Sequence, residues 1–121
     1  MRSLLALVAV TLLALPTSLE AQKVTPGNWT GTISPPDGGA VDATFDVRQS
    51  GDTTKITMNA AGRTIETTDV KVESSRLLFT FTPGGDSVKC TLLLQTDKSY
   101  SGDCIDARGG KGTIVMSPPK S

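Results

Sequence analysis

Two cysteines, one tryptophan and a complete lack of histidine define the chemistry open to this chain. Without an imidazole there is no Ser-His or Cys-His nucleophile, no histidine general base and no imidazole metal ligand. Two thiols alone make a poor zinc set, so no metal is expected. Paired carboxylates are the remaining route to acid–base catalysis. Asp103 and Asp106 are near each other in sequence, but on a strand they point to opposite faces and cannot converge across a substrate. Arg108-Gly109-Gly110-Lys111-Gly112-Thr113 looks superficially like a phosphate loop. A glycine follows its lysine, however, and the next run reads as a strand, not as the helix whose N-terminus would hold phosphate. The chain is therefore expected to carry no catalytic residues and no cofactor, and to be no enzyme.

The first 21 residues read as a secretory signal. Arg2 gives a positive start, Leu4 to Leu15 is apolar apart from Thr11, Pro16 breaks the helix, and Ala21 offers a cleavage site before Gln22. A membrane anchor would need about 20 consecutive apolar residues. No cysteine stands at the cleavage site to take a lipid. The expected product is a single domain of residues 22–121, secreted or periplasmic, with no membrane span once the signal is removed. Basic and acidic residues balance at 12 each, and removing Arg2 with Glu20 keeps that balance. No basic surplus steers the protein to nucleic acid or to an acidic membrane.

In an exported chain an even pair of cysteines reads as a disulfide, and the intervening sequence supports this. Ser87–Gln95 alternates as a strand, Thr96-Asp97-Lys98 is a turn, and Tyr100–Asp106 returns. Pairing Gln95 with Ser99 sets Leu94 opposite Tyr100, Leu92 opposite Gly102, and Cys90 opposite Cys104. Directly opposed Cβ atoms lie about 4.5–5.5 Å apart, near what a disulfide needs.

The other elements follow the same alternation. Gly27–Ser34 turns Trp29, Gly31 and Ile33 to one face. After the turn Pro35-Pro36-Asp37-Gly38-Gly39 comes Ala40–Gln49, with Val41, Ala43, Phe45 and Val47 inward. Thr53–Ala60 points Ile56 and Met58 inward. Arg63–Glu73 changes phase between Ile65 and Val70, which predicts a bulge near Thr67-Thr68-Asp69. Arg76–Thr82 points Leu77, Phe79 and Phe81 inward, and Lys111–Ser117 points Ile114 and Met116 inward before a frayed Ser117–Ser121 tail. The count is eight short antiparallel strands. Short connections make a meander, and closure removes its exposed edges. The fold class predicted is all-β, a small eight-stranded up-and-down barrel in which the Trp29 strand pairs with the last one. A two-sheet sandwich is the alternative.

Gly27-Asn28-Trp29-Thr30-Gly31 resembles the Gly-x-Trp signature on the first strand of lipocalin-like barrels. With the repeated Ser-Gly-Asp turns at 50–52 and 101–103, nearly all of the mature chain resembles small exported bacterial lipocalin-like β-barrel proteins of unknown function. That resemblance implies a fold and a compartment. The chain departs from true lipocalins in being shorter and in lacking an Arg on the last strand to cover the Trp; Lys111 is the nearest candidate.

Function then reduces to binding. Trp29, Phe45, Phe79, Phe81 and Tyr100 are the candidate contacts of a small hydrophobic molecule. The bulky inward set, which includes Met58, Leu77, Leu92 and Leu94, predicts a mostly filled interior. Small inward positions at Gly31, Ala43, Ala60 and Gly102 leave room for a shallow pocket at one end. The second reading is an envelope-protein or secreted-protein partner. A protease inhibitor is the example, with the arm Gln22-Lys23-Val24-Thr25-Pro26 entering a cleft.

Overall fold

The computed structural model describes residues 24–120, so the expected leader at 1–21 lies outside the described residues. The elements are all strands: β1 (Gly27–Ser34), β2 (Val41–Ser50), β3 (Thr53–Ala60), β4 (Arg63–Glu66), β5 (Thr68–Glu73), β6 (Arg76–Phe81), β7 (Val88–Leu94), β8 (Tyr100–Asp106) and β9 (Lys111–Ser117). Among the described residues no helix is long and apolar enough to cross a membrane.

The strands form one antiparallel sheet in the order β4-β3-β2-β1-β9-β8-β7-β6-β5. Pairing of β1 with β9, which sets Gly31 opposite Met116 and Ile33 opposite Ile114, rolls the meander into a barrel. Its two outermost strands, β4 and β5, are consecutive in the chain, so the barrel is nearly closed.

The structure has one strand more than the sequence predicts, because the Arg63–Glu73 run divides. The register against β6 shifts between Thr68 and Lys71, and Asp69 takes a φ of 53°. This is the bulge that the phase slip from Ile65 to Val70 requires. Thr67 marks the division, its N–H and its hydroxyl both donating to the Ile56 carbonyl at 3.2 and 2.7 Å. Before it the chain pairs with β3, and after it with β6.

Alternation puts Phe45, Val47, Ile56, Met58, Leu77, Phe79, Leu92, Ile114 and Met116 into one continuous core. Each such side chain contributes about 1.5–3 kcal/mol by leaving water. Leu94 departs from the inward set. It ends β7 at the rim, beside the β7–β8 turn, and is 41 % exposed. The β7–β8 hairpin has the expected register, with Leu94 opposite Tyr100, Leu92 opposite Gly102 and Cys90 bonded to Cys104 directly across.

Two of the small inward positions do not leave room. A Cβ at Gly31 would lie 1.8 Å from the Val115 carbonyl oxygen, and one at Gly102 would lie 2.0 Å from that of Thr91. The strands coil so tightly there that a neighbouring backbone fills the side-chain volume, which is the use barrels make of strand glycines. The C-terminal tail is also less free than its sequence suggests. Pro118 and Pro119 are half-buried, and Pro119 packs on Gly27.

Candidate functional site

Because strands alternate in direction, the turns fall at two ends, and the ends are built differently. At one end lie the β2–β3, β5–β6 and β7–β8 turns and both ends of the described chain. The arm residue Val24 is 2 % exposed there and Trp29 is 2 % exposed. The indole Nε1 donates to the Thr25 carbonyl at 2.8 Å, so the arm satisfies the one polar atom of the buried ring. Tyr100 packs at a tilt against it, with ring centroids 5.8 Å apart. Burial raises the Tyr100 hydroxyl above its ordinary value. In the adjacent turn Asp97 accepts from the Ser99 hydroxyl at 2.6 Å and from the Ser99 N–H at 3.0 Å. These bonds hold its carboxyl below the usual range. This end is closed.

At the other end a cavity of about 310 Å³ enters the barrel. Its walls come from four places: the end of β1 with Pro35 and Pro36, the β3–β4 hairpin, the β6–β7 connection, and the β8–β9 hairpin. Ile33, Val41, Ile65, Phe81, Val88 and Ile114 supply apolar surface. The cavity exists because the inward position shortens here to Ala60, and because β4 has no strand on its outer edge.

The two charged residues on its wall are engaged structurally. Arg63 Nη2 donates to the Pro83 carbonyl at 2.9 Å. The Asp106 carboxylate accepts from the N–H groups of Arg108 at 2.9 Å and Gly110 at 2.8 Å, bracing the β8–β9 turn. What remains is an apolar recess that can recognise by shape and burial. Among the described residues no group of three His, Cys, Asp or Glu side chains comes together as a metal site.

Of the five aromatic candidates, Phe81 lines the cavity. Phe79 lies behind it, 6.4 Å between centroids, and Phe45 is fully buried in the filled interior. Trp29 and Tyr100 form the closed end. Lys111 does not cover Trp29: it begins β9 at the open end, where it pairs with Asp103 at 3.8 Å. Ile65, Val41, Val88 and the prolines escape a reading based on large inward aromatics. The available signal was Ala60-Ala61-Gly62 and Pro35-Pro36, two turns that a meander places at the same end. Cys104 also lines the cavity, so the disulfide is part of its wall.

No protein-family profile matches the chain, and no curated protein does. Solved structures similar to it include a redesigned β-barrel with a TM-score of 0.61 and 19% identity, covering 83% of this chain and 96% of that one. Another is the redesigned β-barrel mFAP1 bound to DFHBI, with a TM-score of 0.64 and 18% identity, covering 81% of this chain and 98% of that one. At such identities the likeness is one of fold.

Proposed function

We propose that this chain is an exported, non-enzymatic barrel of the lipocalin-like kind that holds a small, uncharged, apolar molecule in its open end. The observation that carries this reading is the apolar cavity of about 310 Å³ beside an otherwise filled core. An engineered apolar cavity of about 150 Å³ stays dry and takes up benzene, so this one suits a molecule of one or two rings. A redesigned barrel of similar fold is bound to DFHBI. Export is supported by the Cys90–Cys104 bond, which belongs to an oxidising compartment. The recess is open to solvent on one side and is lined mostly by apolar groups, so affinity is modest. A Kd of about 10 μM, near −7 kcal/mol, is expected.

The arm-in-cleft reading has weaker support. Val24 is buried and the Thr25 carbonyl is tied to Trp29, so this part of the arm belongs to the barrel's own closed end.

Fluorescence titration with N-phenyl-1-naphthylamine tests the binding reading. Saturable binding is expected, with Ala60→Phe, which fills the recess, weakening it at least roughly tenfold, or about 1.4 kcal/mol. Absence of saturation, or binding indifferent to Ala60→Phe, overturns it.

A further inference from the structure

The cavity reaches the side of the barrel where the sheet does not close. On one side its wall is the β3–β4 hairpin, through Ala60, Ala61 and Ile65, and facing it is the β6–β7 connection, through Phe81, Pro83 and Val88. These two walls belong to the seam where the sheet fails to close. β4 pairs with β3 through Ala60↔Arg63 to Thr57↔Glu66 and has no ladder on its other edge. Opposite that edge β6 has already ended at Phe81, and residues 82–87 form no strand. Among the described residues one hydrogen bond crosses from β4 to this connection, Arg63 Nη2 to the Pro83 carbonyl at 2.9 Å. Arg63 has no carboxylate partner among the described ion pairs. Its side chain is therefore spent on a neutral carbonyl across a gap, where a strand pair would have made several backbone bonds.

The hairpin behind it is built to move as a unit. Its turn is Ala61-Gly62, with φ of 52° and 76° at the two central residues, the tight form that matches strand twist. β4 has four residues. At its far end Thr67 is pinned twice to the Ile56 carbonyl, and the positive-φ residue Asp69 follows. A short strand held on one edge, anchored at its base and latched at its tip by one exposed side chain, occupies the low-stability end of local opening.

We infer that this seam is the portal of the cavity and that Arg63 is its latch: an apolar ligand enters between the β3–β4 hairpin and the β6–β7 connection when the Arg63–Pro83 bond opens. This rests on the ligand-binding reading above and adds the route and the residue that governs it. One net hydrogen bond biases the opening equilibrium by roughly two- to tenfold. Removing the latch therefore changes rates far more than affinity, because it eases entry and exit alike.

The test uses stopped-flow mixing of N-phenyl-1-naphthylamine with the full protein, together with hydrogen exchange read by mass spectrometry over residues 63–67. Arg63→Ala is expected to raise both association and dissociation rates by roughly two- to tenfold, the worth of the lost bond, with Kd nearly unchanged. The same variant speeds exchange of residues 63–67 and leaves residues 100–106 as they were. Arg63→Lys, which keeps a donor, restores much of the slow behaviour. Unchanged rates and unchanged exchange in Arg63→Ala overturn the inference. Should the unmodified protein bind no probe, the ligand reading fails, and the exchange of residues 63–67 alone decides whether Arg63 latches the hairpin.

Discussion

The closed end and the open end of this barrel are made by the same strands and differ in what fills the last layer of inward positions. At the closed end that layer is Trp29, Tyr100 and the arm residue Val24, and every polar atom of the Trp29 ring is satisfied. At the open end the layer shrinks to Ala60 and turn prolines, and one wall is a strand paired on a single edge. Large rigid side chains make one end a plug; small ones, with a missing neighbour, make the other a recess. In a barrel of this width one layer of residues decides between the two.

The largest test of this contrast is truncation at each end. Trp29→Ala removes a ring packed on all sides and is expected to cost about 3–5 kcal/mol in urea unfolding. Phe81→Ala removes a ring that already faces a void, forfeits fewer contacts, and is expected to cost nearer about 2 kcal/mol. The tryptophan emission of the unmodified protein is expected to be blue-shifted and to move red on unfolding. Equal losses from the two substitutions would break the contrast between plug and recess.

The disulfide lies between these extremes. Cys104 is on the cavity wall and Cys90 is buried across from it, so the bond ties two strands at the level where packing becomes thin. Cys90→Ala with Cys104→Ala is expected to cost about 3 kcal/mol by the chain-entropy argument for a loop of this size. Hydrogen exchange should rise first in β7 and β8 near residues 88 and 106, before the Trp29 end responds. A uniform rise along both strands would show that the bond stabilises the barrel as a whole and not its thin end. No thiol should titrate in the denatured, unreduced protein.

How much of this was legible in the sequence follows from range. Hairpin registers were, because alternation and turn residues are local: Cys90 opposite Cys104 follows from counting outward from Gln95 and Ser99. The bulge near Thr67 was legible as a phase slip, though its consequence, a strand that changes partners, was not. The roles of Gly31 and Gly102 were misjudged, because a missing side chain reads as space until one knows that Val115 and Thr91 bring backbone into it. The recess was legible only as a place at one end. Its walls come from four connections far apart in sequence, and the alternation within each strand does not say which strand ends will meet. Phe81 was the one aromatic candidate to reach it.

The smallest test concerns pH. Tyr100 and Asp97, whose ionisation the fold shifts, sit at the closed end. Burial raises Tyr100 above its ordinary 10.0, so the folded protein holds that proton after the unfolded chain has lost it. The stability it lends is whole below 10.0 and drains as pH rises through the folded value. Tyr100→Phe should flatten that alkaline loss. Asp97 moves the other way. The Ser99 hydroxyl, and after it the Ser99 N–H, favour its ionised form and lower it from 3.8. Its contribution is therefore present above 3.8 and disappears as pH falls through the folded value. Asp97 is exposed to solvent, so this acid limb is expected to be the fainter of the two. Denaturant midpoints followed against pH should show Asp97→Asn and Ser99→Ala each making the acid limb shallower, with Ser99→Ala acting on the larger of the two bonds. An acid limb that neither substitution changes would place its origin outside this turn and remove the closed end's claim to the pH response.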